Sequence, residues 1–559
     1  MRVPVAVFGL VLALVPSLRC FGQAADLIIH GAAVETLAPA PGDRAEAVAV
    51  QGGRIVAVGA SRDILAAHRG ASTRVIDAAG RQLIPGLIDS HGHFAGIGRA
   101  AEIDMSATRS YAEVVAWAKT RAAKLPPGAW VVGRGWDQNR WPDKNFPAHG
   151  PLSAAIPDRP VFLERVDGHA ALVNAAAMSV VGLGDDVASV AGGEFLRDAN
   201  GKLTGVLIDK ATNVVERAMP ERSDAEIEAD LLAAQKLCLD YGITSFHDAG
   251  AGFREIVAMN RLYAAKKLKI RLYVMLGSSG ARAISSFADE APTIGAFGGR
   301  LTIRAIKLGV DGALGSRGAA LLEDYADRRG HRGLGMIGKK ELVEIGAMAL
   351  ERGYQVAVHA IGDAGNRVVV EAWEELAKAD PKLKEARFRV EHAQIVDAAD
   401  IPRFKALGLI ASMQGVHCTS DMPWVPDRIG PERTAEGAYV WRKFLDAGVL
   451  IANGTDAPVE RLSPFECLFA SITRRRPDGT PEGGWQPDQR MTPIEALRSY
   501  TAAGAYAAFE EKEKGTIEIG KVADLVLVDR PLTGADARAV LEAKAVLTVL
   551  AGEIVAESK

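Results

Sequence analysis

Both ends of the chain alternate apolar and polar residues with a period of two, which is typical of half-buried β-strands. The alternation runs from Asp26 to about Arg81, with a hairpin turn indicated at Gly52-Gly53. It returns near the C-terminus in residues 515–529 and 544–557. Because these two β-rich ends enclose a long middle, the pattern predicts one small, discontinuous β-sandwich domain to which both termini contribute.

The middle of the chain alternates apolar strand-like runs with helical segments such as 225–242 and 339–353, as a parallel α/β architecture requires. Eight runs are strand candidates: residues 83–91, 243–248, 270–276, 301–308, 355–359, 387–392, 409–413 and 449–456. Eight parallel strands with crossover helices predict a (β/α)₈ barrel of the TIM type. A doubly wound open sheet is the structural alternative.

The connection between the first two candidate strands, from His93 to Ile243, is far longer than one barrel crossover needs. Residues from about 125 to 215 contain strand-like pieces of their own and predict an inserted subdomain. Insertions after a barrel strand emerge at the catalytic face, so this one is expected to cover the pocket and set substrate choice. The predicted domains are therefore a sandwich from 25–82 and 513–559, and a barrel from 83–512 that carries the insertion.

Residues 1–24 have the features of a secretory signal peptide: Arg2, an apolar stretch from Val3 to Val15, and a small-x-small cleavage site at Gly22-Gln23-Ala24. The apolar stretch is too short to span a bilayer comfortably, so we expect a periplasmic or secreted protein without stable membrane insertion after cleavage. An uncleaved apolar helix that tethers the chain is the alternative.

Composition and charge limit the classes of molecule that the protein is expected to bind. Hydrophobic residues make up 48% of the chain and charged residues 24%, as in an ordinary globular protein. Lys and Arg number 66 against 69 Asp and Glu, for a net charge of −3. Nothing in this balance favours a nucleic-acid partner, which would be expected to leave a basic stripe or cluster. A small-molecule substrate is expected, and a monomer and a homo-oligomer both stay open.

Metal-ligating side chains recur where the predicted barrel strands end. The extended chain aims His91 and His93 in the same direction, although a bare His-x-His is equally compatible with a turn. If the strands form a barrel, six residues face the active site at their carboxyl ends: His91, His93, Lys307, His359, His392 and Asp456. Imidazoles and carboxylates suit zinc and related divalent ions. Lys307 is either in a structural ion pair or modified by CO₂ to a carbamate that bridges two metals.

Eight motifs together resemble the amidohydrolase superfamily, specifically the YtcJ-like branch of amidohydrolase family 3, from about Asp26 to the C-terminus. They are LIPGLIDSHGHF (83–94), GRGWDQ (133–138), ERVDGHA (164–170), GITSFHDAG (242–250), KLGVDGALGSRGAAL (307–321), VHAIGDA (358–364), RVEHAQ (389–394) and GTDAPV (454–459). The resemblance implies that His91, His93 and Asp456 hold one divalent metal, with zinc as the predicted ion. It further implies a second metal on His359 and His392, bridged by carbamylated Lys307; members of the family use one or two metals.

The predicted reaction is hydrolysis of a carbon–nitrogen bond that is not a peptide bond, in an amide, N-acyl or formamide-like group. Bound zinc lowers the pKa of water from 15.7 to about 7 and makes hydroxide available, while Asp456 serves as general base. Trp136, Asp137, His169 and Arg317 are assigned to the substrate pocket, with a structural role in the insertion or in the loop after the fourth strand as the alternative. Asp363 either orients a metal ligand or stands at a helix N-terminus.

Three alternatives accompany this prediction. The same site could hydrolyse an ester, a lactone or a cyclic amide, since the nucleophile does not distinguish them in principle. Deamination is disfavoured because no His-x-x-Glu follows the fifth strand. A non-catalytic binding barrel is disfavoured because all six ligand positions are present, and fold alone cannot decide function.

Overall fold

The computed structural model of the protein describes residues 24–39, 45–277, 291–534 and 536–558. The predicted signal peptide lies outside these residues, apart from Ala24. Within the described ranges, no helix combines the length and the apolar character needed to cross a membrane.

Twenty-three strands are numbered here in chain order: β1 Leu27–His30, β2 Ala33–Val34, β3 Ala47–Gln51, β4 Arg54–Gly59, β5 Arg74–Asp77, β6 Gln82–Pro85, β7 Leu87–Gly92, β8 Val131–Trp136, β9 Val161–Arg165, β10 Ala170–Val173, β11 Gly193–Arg197, β12 Leu203–Asp209, β13 Ile243–Ala251, β14 Arg271–Gly277, β15 Thr293–Gly295, β16 Leu301–Gly309, β17 Gln355–Ala360, β18 Arg389–His392, β19 Ile410–Met413, β20 Ile451–Asn453, β21 Leu525–Val528, β22 Ala545–Leu550 and β23 Glu553–Glu557. This numbering covers the described residues only.

The α-helices are Ser61–His68, Phe94–Ile103, Tyr111–Ala122, His149–Ala155, Ala175–Val180, Asn213–Glu216, Asp224–Asp240, Phe253–Ala264, Ala296–Gly299, Lys339–Arg352, Asp363–Ala379, Ile401–Leu407, His417–Asp421, Val425–Gly437, Trp441–Asp446, Pro464–Thr473, Pro493–Ser499, Ala502–Ala507 and Ala537–Leu541. Short 3₁₀ turns lie at Gln138–Arg140, Pro381–Glu385 and Pro487–Gln489.

The central sheet is an eight-stranded parallel barrel, in the order β7, β13, β14, β16, β17, β18, β19, β20. The register aligns the carboxyl ends of neighbouring strands: Gly309 of β16 lies opposite His359 of β17, and Ala360 lies opposite His392 of β18. The TIM-type barrel predicted from the strand pattern is confirmed, and each of the eight candidates corresponds to a barrel strand.

The barrel closes through contacts between β7 and the segment that follows β20. The Asp456 amide donates to the His91 carbonyl at 2.7 Å, and the His93 amide donates to the Ala457 carbonyl at 2.8 Å. Gly454 permits this approach, because a Cβ atom there would lie 2.5 Å from the His91 nitrogen. Closure therefore brings the first and last predicted ligands together.

The first predicted strand, 83–91, is in fact two strands of different sheets. β6 pairs antiparallel with β21 in a terminal sheet, whereas β7 begins the barrel. Gly86 separates them at a point where an added Cβ would lie 2.2 Å from the Thr244 hydroxyl. The apolar run continues through this junction, so hydrophobicity alone does not reveal where the chain changes sheet.

The termini form the two sheets of the predicted sandwich. One has the order β4, β3, β1, β5 and the other β2, β6, β21, β22, β23. They share a core of apolar side chains that includes Leu27, Val48, Leu83, Leu525 and Val549. The discontinuous β-sandwich predicted from the alternating termini is thus present.

The insertion after the first barrel strand has its own five-stranded sheet, in the order β11, β12, β10, β9, β8. Side chains of this sheet pack into two apolar clusters, one around Trp136 and Leu163 and the other around Phe162 and Leu207. The Arg165 side chain, at the end of β9, reaches the barrel: a Cβ on Gly315 would lie 3.0 Å from its Nη1 atom. The insertion is consequently in direct contact with the catalytic face.

Candidate metal centre

Asp456 lies at the centre of a group of histidines at the carboxyl end of the barrel. Its Oδ1 atom is 3.5 Å from His91 Nε2 and 3.3 Å from His93 Nε2. Both His91 Nε2 and Asp456 Oδ1 are buried and have no hydrogen-bond partner among the described residues. Polar atoms that are buried without a partner are costly, so this arrangement fits a site for a cation.

The opposite ring nitrogen of His91 is fixed by a buried carboxylate. Glu391 Oε2 lies 2.5 Å from His91 Nδ1, and Arg389 donates to Glu391 from Nε at 2.7 Å and from Nη2 at 3.0 Å. Because an ionised carboxylate can only accept, His91 carries its proton on Nδ1 and presents the Nε2 lone pair to Asp456.

The second oxygen of Asp456 faces two further histidines. Oδ2 lies 3.6 Å from His417 Nε2 and 4.0 Å from His392 Nδ1. Among the described residues, two clusters have donor atoms within 4.8 Å of one another: His91, His93 and Asp456, and His392, His417 and Asp456. Asp456 belongs to both, so its two oxygens face two groups of nitrogen donors.

The backbone at this position is itself unusual. Asp456 has φ of +57° and His392 has φ of +74°, in the left-handed region that non-glycine residues seldom adopt. In β18, Arg389 and Glu391 point into the barrel by alternation, and the positive φ of His392 turns its ring inward as well. The strain is thus located at two residues of the proposed centre.

His359, at the end of β17, lies beside His392, with ring centroids 4.5 Å apart. Asp311 helps to place it: the Asp311 carboxylate accepts from the Ile361 and Gly362 amides and lies 3.6 Å from His359 Nε2. His359 is absent from both three-residue clusters, which were sought among the described residues. The structure therefore leaves its role as a ligand a prediction.

Lys307 lies on β16, and its side chain lines the cavity at the carboxyl end of the barrel. Its register partner on β17 is Ala357, and Ala305, two residues earlier, belongs to the apolar layer inside the barrel. Alternation thus places Lys307 toward the interior, as the sequence indicated. Its modification to a carbamate stays a prediction.

Electrostatics favour neutral His359 and His392 and an ionised Asp456. Burial would lower the pKa of His91, but the Asp456 and Glu391 carboxylates raise it above the ordinary value. Burial, followed by repulsion from neighbouring charges, holds the pKa values of His359 and His392 well below the ordinary histidine value. Burial opposes ionisation of Asp456, but the adjacent imidazoles of His91 and His93 hold the pKa of Asp456 well below its ordinary range. These are the protonation states that a divalent cation requires of its ligands.

A cavity of about 480 Å³ opens above these side chains. The barrel contributes its floor, and the insertion contributes a wall that contains Asp137, Arg165, Asp167 and His169. Arg165 donates to Asp137 at 2.6 Å and is also paired with Asp167. His169 Nδ1 lies 2.7 Å from an Asp209 oxygen, which leaves Nε2 as the lone-pair nitrogen of its ring.

Three predicted supporting residues lie elsewhere than expected. Trp136 does not line the cavity: it is fully buried in the insertion core and donates from its indole nitrogen to the Leu163 carbonyl at 2.7 Å. Arg317 is paired with Asp327 at 2.8 Å and does not line the cavity either. Asp363 begins a helix and accepts from the Leu322 amide at 2.8 Å, so it positions a loop and not one of the ligands.

The sequence profile described as the Amidohydrolase family matches residues 74–556.

The chain belongs to the amidohydrolase family.

Individual relatives agree with this membership. A Bacillus subtilis (strain 168) protein named as an amidohydrolase, YtcJ, is 30% identical over 95% of this chain and 99% of its own length. An N-substituted formamide deformylase from Arthrobacter pascens is 29% identical over 91% of this chain and 94% of its own. The crystal structure of an uncharacterised metal-dependent hydrolase from Pyrococcus furiosus covers 91% of this chain and 100% of its own, at 26% identity and a TM-score of 0.69.

The predicted family is therefore confirmed, and with it the prediction of a hydrolase that acts on carbon–nitrogen bonds. The buried donor set of this amidohydrolase suits the predicted divalent metal, because imidazole nitrogen and carboxylate oxygen are its usual ligands. The fit rests on the two atoms without partners, His91 Nε2 and Asp456 Oδ1.

Sequence reasoning missed four residues that contact or position the centre of this amidohydrolase: Glu391, Arg389, Asp311 and His417. The first three lie inside motifs from which only His392 and Lys307 were selected as candidate ligands. His417 follows β19. Among the last five barrel strands, β16 to β20, β19 is the one to which the sequence analysis assigned no ligand. A search for ligands within a few residues of every predicted strand end would have found it.

Proposed function

We propose that this protein is a metal-dependent hydrolase of small N-substituted amides, with formamides as the preferred class. The observation that carries the proposal is the position of Asp456 at the floor of the cavity. One of its oxygens lies beside the Nε2 atoms of His91 and His93. A carboxylate that can both hold a metal and face the substrate is suited to act as general base.

His91, His93 and Asp456 would hold the first ion, and His359, His392 and carbamylated Lys307 are proposed for a second. When bound, a divalent ion such as zinc would polarise the substrate carbonyl and lower the pKa of water. Asp456 accepts the proton of the attacking water and passes it to the leaving nitrogen. The carbon–oxygen bond forms first, and the carbon–nitrogen bond breaks when the nitrogen has taken the proton, so one amide and one water yield one carboxylic acid and one amine.

A second cavity beside the first offers room for a substituent on one side of the substrate. This second cavity, of about 360 Å³, shares Arg134, Arg140, Val166, Val459 and Glu460 with the first. Its remaining wall includes several apolar side chains: Ile97, Ala100, Leu237, Tyr241 and Leu462. We propose that this cavity receives an apolar N-substituent, which agrees with the similarity to an N-substituted formamide deformylase.

The insertion would orient the substrate from above. His169 faces the cavity with its ring centroid 4.9 Å from that of His359, and Asp209 fixes its tautomer. Asp137 is held against Arg165 in the same wall. His169 and Asp137 are therefore retained as substrate-contacting residues, whereas Trp136 and Arg317 are not.

Export is a separate part of the proposal. It is supported by Arg2, the apolar stretch 3–15 and the small-x-small site at 22–24. Sequencing the N-terminus of the protein recovered outside the cytoplasm tests it, with a start near Ala25 expected. An intact N-terminus on protein confined to the cytoplasm contradicts it.

The substrate proposal is tested with zinc-loaded enzyme and matched compounds: N-alkylformamides, the corresponding N-acetyl amides, N-acyl amino acids, dipeptides and lactones. Formate and amine should be released fastest from formamides with apolar N-substituents, while dipeptides should stay intact. Equal turnover by a zinc-loaded Asp456→Asn variant would contradict the assigned base. Hydrolysis of lactones without any amide hydrolysis would replace the proposal with the lactone alternative.

A further inference from the structure

His417 is a buried histidine at the proposed centre to which the sequence assigned no role. It begins the helix His417–Asp421 that follows β19, and its side chain is 7% exposed. Its Nε2 atom lies in the cavity wall 3.6 Å from Asp456 Oδ2 and has no hydrogen-bond partner among the described residues. A bound cation, a water or a substrate atom can serve as the partner of such an atom.

The neighbouring histidines show how rings at this site are oriented. His392 Nδ1 lies 2.8 Å from Gln414 Oε1, and the Gln414 amide nitrogen donates to the Ser412 carbonyl at 3.1 Å. A carbonyl only accepts, so the Gln414 amide orientation is determined and its oxygen must accept from His392 Nδ1–H. His91 donates from Nδ1 to Glu391 in the same way. Both rings keep a lone pair on Nε2.

The same argument fixes His417, through Gln394. One end of the Gln394 amide lies 2.9 Å from His417 Nδ1, and the other end lies 3.2 Å from the Tyr439 hydroxyl. Tyr439 has one proton, and its hydroxyl is 2.5 Å from Asp421 Oδ2. Burial raises the pKa of Asp421 to about 7, so above that pH the ionised carboxylate accepts the hydrogen bond from the Tyr439 hydroxyl. The amide end beside Tyr439 must then be the NH₂ group, since it has to donate.

The amide oxygen of Gln394 therefore faces His417 and accepts from Nδ1–H. In this orientation the oxygen and nitrogen of the Gln394 amide are exchanged compared with the structure, where Nε2 faces His417. The two orientations have the same shape, so only the hydrogen-bond network decides between them. The lone pair of His417 is left on Nε2, beside Asp456. Three rings around one carboxylate thus share one tautomer, which is the tautomer of a histidine that binds a metal through Nε2.

We infer that His417 is a metal ligand through Nε2, and that Asp456 Oδ2 is a ligand of the same ion. The inference rests on the proposed function, because it places His417 at the same metal centre. It also gives Asp456 a bridging position, with Oδ1 toward the ion of His91 and His93 and Oδ2 toward the ion of His417. The sequence had assigned bridging to Lys307 alone.

Metal binding by His417→Gln tests this inference without any substrate. Metal-free wild type, His417→Gln and the control His30→Gln are titrated with Co²⁺ and with Zn²⁺ against a competing chelator at pH 8. His30 lies on β1 in the terminal sandwich, so its loss removes a histidine far along the chain from the barrel strands. Circular dichroism checks that each variant is folded.

Loss of a ligand should weaken binding of one ion by at least about 10-fold and change the visible Co²⁺ spectrum, whereas His30→Gln should match wild type. Unchanged affinity and an unchanged spectrum in His417→Gln overturn the inference. If wild type itself binds no ion, the proposed function fails as well, so the two failures are distinguishable.

Wild-type crystals grown with zinc decide the question even if His417→Gln does not fold. An anomalous-difference peak about 2.0–2.1 Å from His417 Nε2 supports the inference. Zinc peaks that are all beyond coordination distance of this atom overturn it.

Discussion

Replacing Glu391 with leucine should weaken both the fold and the metal centre. Glu391 and Arg389 are fully buried, and the carboxylate accepts two hydrogen bonds from Arg389 and one from His91. Burial alone would raise the pKa of Glu391, but the positive charge of Arg389 and the hydrogen bond from His91 hold it well below its ordinary value. The carboxylate is consequently ionised throughout the neutral range.

Two losses follow from Glu391→Leu. Arg389 keeps only neutral acceptors, the Ser90 carbonyl, the Ser412 hydroxyl and His247 Nδ1. Leaving one member of a buried ion pair uncompensated costs about 3–5 kcal/mol of unfolding free energy. His91 also loses the acceptor that fixes its tautomer, which should lower metal affinity about 10–100-fold.

Urea unfolding measures the first loss, and zinc competition with a chromophoric chelator measures the second. Glu375→Leu is the matched control, since Glu375 pairs with Lys339 at 3.1 Å on the surface, where both side chains are about half exposed. Its cost should stay within about 1 kcal/mol, with unchanged zinc affinity. A double variant, Arg389→Met with Glu391→Leu, should recover stability but not affinity. Wild-type affinity in Glu391→Leu would refute the positioning role.

Three further predictions concern closure, acid stability and catalysis. Gly454→Ala should lower the free energy of unfolding in urea by about 1–3 kcal/mol and weaken zinc binding, because its Cβ would lie 2.5 Å from the backbone nitrogen of His91. Gly338→Ala, which has open space around it, should leave both stability and zinc affinity unchanged. Burial would raise the pKa of Asp524, but buried Arg271 lowers it below 3.8, so its stabilisation is present above that value and is lost as pH falls through the folded pKa. Asp524→Asn should therefore melt below wild type at pH 7, with the gap narrowing below about pH 4; a constant gap would contradict the pairing. His359→Ala should abolish amide turnover while its circular dichroism spectrum matches wild type, and near-normal turnover would show that His359 is not needed.

The strand pattern was sufficient to predict the barrel because apolar runs of strand length recur between helical segments eight times. It could not show that residues 83–91 change sheets, since β6 and β7 are both buried and form one apolar run around Gly86. Burial on both sides removes the alternation that would mark a boundary. The partner sheet of β6 comes from β21, more than 400 residues away in sequence, and no local pattern encodes that pairing.

The centre was predictable where a candidate ligand lies at or just after a strand end, as His91 and Asp456 do. The role of Glu391 was not predictable. A carboxylate next to a candidate histidine ligand is expected to face solvent unless a buried cation is known to lie beside it, and the sequence does not show that Arg389 is also inside the barrel. Trp136 was misplaced for a related reason. An aromatic residue in a glycine-rich motif suggests a pocket, yet its indole packs in the insertion core and satisfies its N–H on Leu163.

The most direct test of the central claim compares metal-depleted and zinc-reconstituted enzyme on an N-alkylformamide, with metal content measured in the same samples. The account predicts that formate release is absent without metal, returns on reconstitution in proportion to bound zinc, and stays absent in zinc-loaded Asp456→Asn. Undiminished hydrolysis by metal-free wild type would contradict it, as would wild-type zinc binding by a folded variant that lacks both His91 and His93.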